Sequence, residues 1–247
     1  MTRLAGLAPI YRRELTSYFV TPLAYVFIVI FLVLTGLFTF WLGGLFERGQ
    51  ADLAPFFSYL PWLYLFLVPA VAMPLWAEER RSGSIELLLT LPVRPEVAVA
   101  AKFLAGLTFI SIALALTFPV WITVNYLGSP DNGAIFAAYV GSVLMAGAFL
   151  AIGSCLSAAT RSQTIAFILT VLACFLLLVI GIPALLGALH DWLPGWLIDA
   201  LSALSLLTHF QAISKGVLDL RDLLYFLMTI AAWLYATALV LELRKAD

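Results

Sequence analysis

Long apolar runs recur along this sequence, separated by short charged or turn-forming stretches. Each run has about 19–25 residues, the length that an α-helix needs to cross a bilayer core. The runs are continuous, whereas the strands of a membrane barrel alternate apolar and polar residues over about ten positions. The sequence therefore predicts an all-α integral membrane protein with six transmembrane helices, at 23–46, 55–76, 103–126, 135–159, 164–186 and 223–241.

Composition favours one membrane domain over residues 1–247. Hydrophobic residues make up 64 % of the chain, charged residues 11 %, and the mean hydropathy is +1.07. Soluble domains of this size do not have such a composition. The net charge of −1 provides no basic surface for nucleic acid. Cys155 and Cys174 fall inside predicted helices without metal-ligand spacing, and we interpret both as packing residues.

Lysine and arginine are distributed unequally between the predicted loops. Of the 13 such residues, ten lie on the side that holds both termini and the loop 77–102. Cytoplasmic loops carry the excess of positive charge, so both termini and this loop are expected in the cytoplasm. Tryptophans near the span ends are predicted to form interfacial belts: Trp41, Trp62, Trp76, Trp121 and Trp192.

The loop at 78–92 joins a charged half to a short apolar half. Gly83 permits a turn between them, and Ser84 can cap a new helix that Pro92 ends. About eight helical residues span only about 12 Å, far less than a bilayer. We predict a cytoplasmic coupling segment whose site residues are Glu78, Glu79, Arg80, Arg81, Gly83, Ile85, Glu86, Leu88, Leu89 and Pro92.

An apolar helix of this length needs a covering surface. One interpretation is a docking helix that fits a groove on a soluble protein. Two alternatives remain open from spacing alone: a helix lying on lipid, and a helix packed under its own bundle.

Residues 9–20 form a second amphipathic segment. At about 100° per residue, Tyr11, Leu15 and Tyr18 share one side of a helix, and Arg12 and Arg13 lie on the other. This pattern predicts an interfacial helix with its aromatic side in the headgroup layer. Glu14 lies at the edge of the apolar side, where it either pairs with a basic residue of another loop or remains solvated.

Residues 187–222 are mixed in polarity and are predicted to lie outside. Pro183, Pro194 and Gly195 interrupt the segment, and Trp192 and Trp196 are placed to anchor it at the interface. We predict one or two short helices that dip into the outer leaflet as a re-entrant segment. A seventh full span is disfavoured because it would move the positively charged C-terminus outside.

The sequence offers little catalytic chemistry. It has no phosphate-binding loop ending in Gly-Lys-Ser/Thr, and no charge lies deep in a predicted span, which argues against an ion-driven carrier. An intramembrane Ser154–His209 dyad is a weak alternative to a packing serine and an interfacial histidine. Small residues at four-residue spacing favour close helix packing within the chain over a dimer seam: Gly147, Ala151, Cys155 and Ala159.

Together these parts resemble the permease subunit of type-2 ABC exporters over essentially the whole chain. Within that family the sequence is most similar to the gliding-motility-type (GldF-like) permease. The stretches that carry the resemblance are 13–25, 78–92 and 209–222, the middle one being typical of ABC permeases in general.

The resemblance implies a non-catalytic subunit of the bacterial cytoplasmic (inner) membrane that works as a pair of copies. A separate ATPase subunit, also in two copies, would hold ATP and Mg and receive residues 84–91 in a groove. It also implies, as a further partner, a GldG-like auxiliary membrane protein with an extracytoplasmic domain. No cofactor or metal is expected in this chain. Alternatives are a haem- or copper-maturation permease, a mechanotransmitter acting on an extracytoplasmic partner, and, weakly, a membrane enzyme.

Overall fold

The computed structural model describes residues 6–83, 94–189 and 192–243, and these residues form α-helices without strands. The all-α prediction is confirmed. The helices are α1 (Leu7–Val20), α2 (Pro22–Leu37, continued by a π-helical turn Phe38–Leu42), α3 (Ala54–Ala72), α4 (Pro74–Ser82), α5 (Pro95–Ala115), α6 (Phe118–Leu127), α7 (Asn132–Ala159), α8 (Gln163–Val179), α9 (Pro183–Leu189), α10 (Gly195–Leu204), α11 (Leu206–Ser214) and α12 (Leu220–Leu243).

Local sequence explains where several helices begin. Proline occupies the first turn of α2, α4 and α5, where its missing N–H removes no intrahelical bond. Asp131 caps α7 by accepting hydrogen bonds from the backbone N–H groups of Gly133 and Ala134. Ser205 caps α11 by accepting one from Thr208. Gly83 ends α4 in the left-handed conformation, with φ of 73°, as its predicted turn requires.

Five helical segments of the described chain are long and apolar enough to cross a membrane: Ala24–Leu42, Ala54–Ser82, Pro95–Leu127, Asn132–Ala159 and Leu220–Leu243. They correspond to the predicted first, second, third, fourth and sixth spans. A sixth is counted if α10 and α11, which meet at a bend of 67°, are taken as one broken span.

The predicted fifth span is shorter than expected. Helix α8 ends at Val179 after 17 residues, and α9 begins at Pro183. Proline cannot continue the preceding hydrogen-bond ladder and disfavours the helical conformation at the residue before it. At about 26 Å, α8 alone is slightly shorter than a hydrocarbon core of about 30 Å.

Helix α7 lies at the centre of the bundle. In its most apolar stretch 72 % is buried, whereas the corresponding figure for the first and last spans is 17 %. A Cβ added at Gly147 would lie 3.0 Å from Ile230 of α12 and 3.6 Å from Leu107 of α5. The small-residue face therefore packs within the chain, as predicted, and is not exposed as a dimer seam.

Candidate functional site: a buried lysine between three helices

Helices α1, α4 and α5 meet at the side chain of Lys102, which is 2 % exposed. Its ammonium donates hydrogen bonds to Glu79 Oε1 at 2.8 Å and to the Leu75 carbonyl at 2.9 Å, and it lies 3.4 Å from Glu14 Oε1. The ammonium also lies 4.9 Å from the ring centroid of Trp76. A buried ammonium is costly unless it is paired and hydrogen-bonded, so these contacts let Lys102 remain charged inside the protein.

Helix α1 brings Glu14 to this lysine because its aromatic side packs on α5. The Tyr18 ring stacks on Phe109 with centroids 5.0 Å apart, and the Tyr11 hydroxyl donates to Thr108 Oγ1 at 3.1 Å. Burial raises the pKa of Tyr18, which therefore stays neutral. Part of this side is thus covered by α5, and the interfacial position of the helix stays a prediction.

Arg13 completes a group of four residues, Arg13, Glu14, Glu79 and Lys102, called here the Lys102 cluster. The guanidinium of Arg13 lies 2.6 Å from Glu14 Oε1 and 3.6 Å from Glu79 Oε1. Its hydrogen bond to Glu14 raises the pKa of Arg13. Its side chain is 57 % exposed, so this contact contributes much less than the lysine does.

A break between α3 and α4, at Met73, lies next to this cluster. Pro74 has no N–H, and the first N–H groups of a helix have no partner within it. Ser157 of α7 supplies the missing partner: its Oγ accepts from the N–H groups of Trp76 and Ala77, both at 3.1 Å, and donates to the Met73 carbonyl at 2.8 Å. One hydroxyl thus satisfies three backbone groups at the break.

Two further contacts attach α4 to α7. The indole N–H of Trp76 donates to Ser154 Oγ at 3.0 Å, and the guanidinium of Arg80 donates to the Ala158 carbonyl. Trp76 is fully buried, so its predicted place in an interfacial belt was wrong. The amphipathic character of α4 explains the change, since its indole faces α7 while Glu78 and Arg81 face outward.

The predicted site residues separate into four groups. Glu79, Arg80, Arg13 and Glu14 contact other helices, and Tyr11, Leu15 and Tyr18 pack on the core. Arg12, Glu78, Arg81 and Gly83 are exposed. The remaining coupling residues lie outside the described residues: Ile85, Glu86, Leu88, Leu89 and Pro92.

The weak Ser154–His209 dyad is not formed. Ser154 bonds to Trp76 at the end of the bundle that carries the Lys102 cluster, here called the charged end. His209 lies at the opposite end, called here the hairpin end after the hairpin α10–α11, where its ring nitrogens contact Asp222 and Ala203. No group of three or more potential metal ligands occurs among residues 6–83, 94–189 and 192–243.

Comparison with known families decides what kind of protein carries this arrangement. The sequence model described as "ABC-2 family transporter protein" matches residues 63–243. The chain belongs to this family. No curated protein matches it. In this ABC-2 membrane component, the matched region begins within α3 and ends with α12. The region includes Glu79, Lys102 and Ser157, whereas Glu14 on α1 precedes it.

Sequence reasoning missed three residues of this ABC-2 chain: Lys102, Trp76 and Ser157. Lys102 was counted only as a positive loop charge, although its place at the start of an apolar run is a usable signal for a buried, paired cation. Ser157 is one small residue among many on α7, and no sequence pattern distinguishes it. Its role depends on facing the Met73 break across the helix interface.

Proposed function

We propose that this chain is the permease subunit of an ATP-driven ABC exporter, most similar to the gliding-motility type. In this proposal two copies of the chain work with two copies of a separate ATPase subunit, which holds ATP and Mg. The chain supplies no catalytic group. Closure of the ATPase pair displaces the coupling segment and changes the shape of the path between the two permease copies.

The observation that carries the proposal is the position of Lys102 relative to the segment 84–93. That segment begins after Gly83 at the end of α4 and ends before α5. Lys102 binds α4 through Glu79 and lies within 3.4 Å of Glu14 on α1, while belonging itself to α5. A displacement of the segment is therefore passed to all three helices together.

The break at Met73 provides a place where this group of helices can tilt relative to α3. The Met73 N–H donates to the Pro69 carbonyl, while Ser157, a side chain of another helix, bonds to three backbone groups at the break. Such a contact can re-form in a second position at small cost, as a hinge needs. ATP binding then selects between two arrangements because the ATPase contacts the segment differently in each.

The proposed orientation places the charged end in the cytoplasm of a bacterial cell and the hairpin end outside the inner membrane. The bias of lysine and arginine toward the charged end supports it. The hairpin end would then face any GldG-like auxiliary subunit with an extracytoplasmic domain. Transport of substrate distinguishes an exporter from a mechanotransmitter that acts only on such a partner.

The proposal is tested by co-purification with the ATPase subunit in mild detergent. We expect the double variant Leu88→Glu/Leu89→Glu to lose the ATPase subunit, because charge prevents an apolar helix from entering its groove. The matched control is Val217→Glu/Leu218→Glu, which alters two exposed apolar residues at the hairpin end. The control is expected to retain the ATPase; retention by the Leu88/Leu89 variant would refute docking through this segment.

A further inference from the structure

The hairpin end contains a buried histidine–carboxylate pair that the proposed function does not use. Nδ1 of His209 on α11 lies 2.6 Å from Oδ1 of Asp222 on α12, and Nε2 lies 3.0 Å from the carbonyl oxygen of Ala203 on α10. His209 is 7 % exposed and Asp222 is 8 % exposed. One imidazole ring therefore connects three helices.

The two contacts of the ring decide which protonation state satisfies both of them. A carbonyl oxygen only accepts hydrogen bonds, so Nε2 must carry a hydrogen. A second hydrogen must lie between Nδ1 and Oδ1, whether it is bound to the imidazole or to the carboxyl group. Both contacts are therefore satisfied together only when the pair holds one proton more than a neutral imidazole beside a carboxylate. Loss of this proton would leave two lone pairs facing each other at 2.6 Å.

Neighbouring contacts hold the ring in place. The Tyr225 ring of α12 stacks on the imidazole with centroids 3.9 Å apart, and its hydroxyl donates to the Leu204 carbonyl at 2.6 Å. On α11 itself, Phe210 and Ile213 are buried against Gly141 of α7. Helix α11 is therefore fixed to the bundle.

Helix α10 is held less firmly. It has no buried residue, and its described contacts to the rest of the chain include the two carbonyl bonds of Ala203 and Leu204. Its attachment to α11 and α12 is therefore sensitive to the state of the pair.

His209 borders an open hollow of about 580 Å³. The charged and titratable residues that line this hollow are His209, Asp219, Arg221 and Tyr225; its other walls are apolar. Asp219 and Arg221 have opposite charges. Apart from His209 itself, Tyr225 is the one of these residues whose stacking on the imidazole is described above. The carboxylate of Asp222 is therefore the charged group in direct contact with the ring.

We propose that His209 and Asp222 form a proton-binding latch that holds α10 against α11 and α12. With the proton bound, both ring nitrogens are satisfied and the hairpin is closed. When the proton leaves, one of the two bonds to the ring is lost, and α10 separates more readily. This inference does not depend on the ATPase partner.

Histidine NMR tests proton binding directly. The chain has two histidines, so in the His190→Gln variant the ¹⁵N signals of a histidine ring come from His209 alone. We expect these signals to show the His209 ring losing a proton as the pH is raised, and we expect Asp222→Asn to move this titration to lower pH. Asp52→Asn removes a partly exposed carboxylate that does not line the hollow beside His209, and it serves as the control whose titration is unchanged. Identical titration of His209 with and without the Asp222 carboxylate would overturn the proposal.

Hydrogen exchange on the unaltered protein tests the latch without relying on a variant that folds poorly. After correction for the intrinsic pH dependence of exchange, protection of the α10 amides is expected to fall about tenfold as the His209 signal titrates, as loss of one hydrogen bond implies. The central helix α7 is the internal control and keeps its protection. Constant protection of α10 through the titration would show that the pair is not a latch.

Discussion

Replacement of Lys102 by methionine is the most informative perturbation of stability. Methionine preserves much of the side-chain volume but removes the ammonium that lies 2.8 Å from Glu79 and 3.4 Å from Glu14. Removing one partner of a buried ion pair costs about 3–5 kcal/mol, because the opposite charge loses its compensation. The two glutamate side chains retain 19 % and 14 % exposure, so we expect the lower end, about 3 kcal/mol.

The assay is equilibrium unfolding of the purified protein in mixed micelles of increasing denaturing-detergent content. A double-mutant cycle with Glu79→Gln separates the pair from other effects of the substitution. We expect Lys102→Met/Glu79→Gln to be more stable than the sum of the single variants predicts, by about 1–3 kcal/mol. Lys215→Met, at an exposed position, is the control and should change stability by less than about 0.5 kcal/mol. Additive single effects would refute the assignment of Lys102 as a buried, paired charge.

Two further predictions concern packing at α7 and are read by the same unfolding assay. Ser157→Ala leaves the three backbone groups at the Met73 break without their hydroxyl partner, and it should lower the free energy of unfolding by about 1–3 kcal/mol. The control Ser142→Ala removes a buried hydroxyl that bonds within its own helix turn, and it should cost clearly less. Equal losses would contradict the capping role of Ser157. Gly153→Ala places a Cβ against Ala72 and 3.0 Å from Thr170 and should cost about 1–3 kcal/mol. Gly36→Ala meets nothing within 4 Å and should be neutral or slightly stabilising, and a matching loss there would show that the effect is not overpacking.

The spans were the most predictable part of the fold, because an apolar run of sufficient length has few alternatives in a bilayer. The exception is instructive. The run 164–186 contains Gly181 and Pro183, and a Cβ at Gly181 would overlap Ser205 at the start of α11. The chain bends there because of a proline that the sequence shows and a tertiary contact that it does not.

The amphipathic pattern of α1 gave the correct faces but not the helix that covers part of one of them. Periodicity reports that Tyr11 and Tyr18 share a side, and this side can be covered equally well by lipid or by protein. The partner, α5, is contributed by residues about 90 positions further along the chain. Single-sequence patterns carry no information about such pairings.

The charged contacts were predictable as residue types and not as pairs. The sequence left Glu14 either paired with a basic residue of another loop or solvated, and it placed Glu79 in the charged loop. Nothing in their spacing pointed to Lys102. The His209–Asp222 pair was missed for the same reason, since its two members lie on different helices.

The central claim is that the Lys102 cluster passes movement of the ATPase subunit to the membrane helices. It is tested most directly by ATP hydrolysis of the reconstituted complex, at a temperature at which the unfolding assay shows every variant to be folded. The account predicts that Lys102→Met retains the ATPase subunit but loses the stimulation of hydrolysis by the permease, and that Lys102→Arg restores part of it. Full stimulation by Lys102→Met would contradict the account.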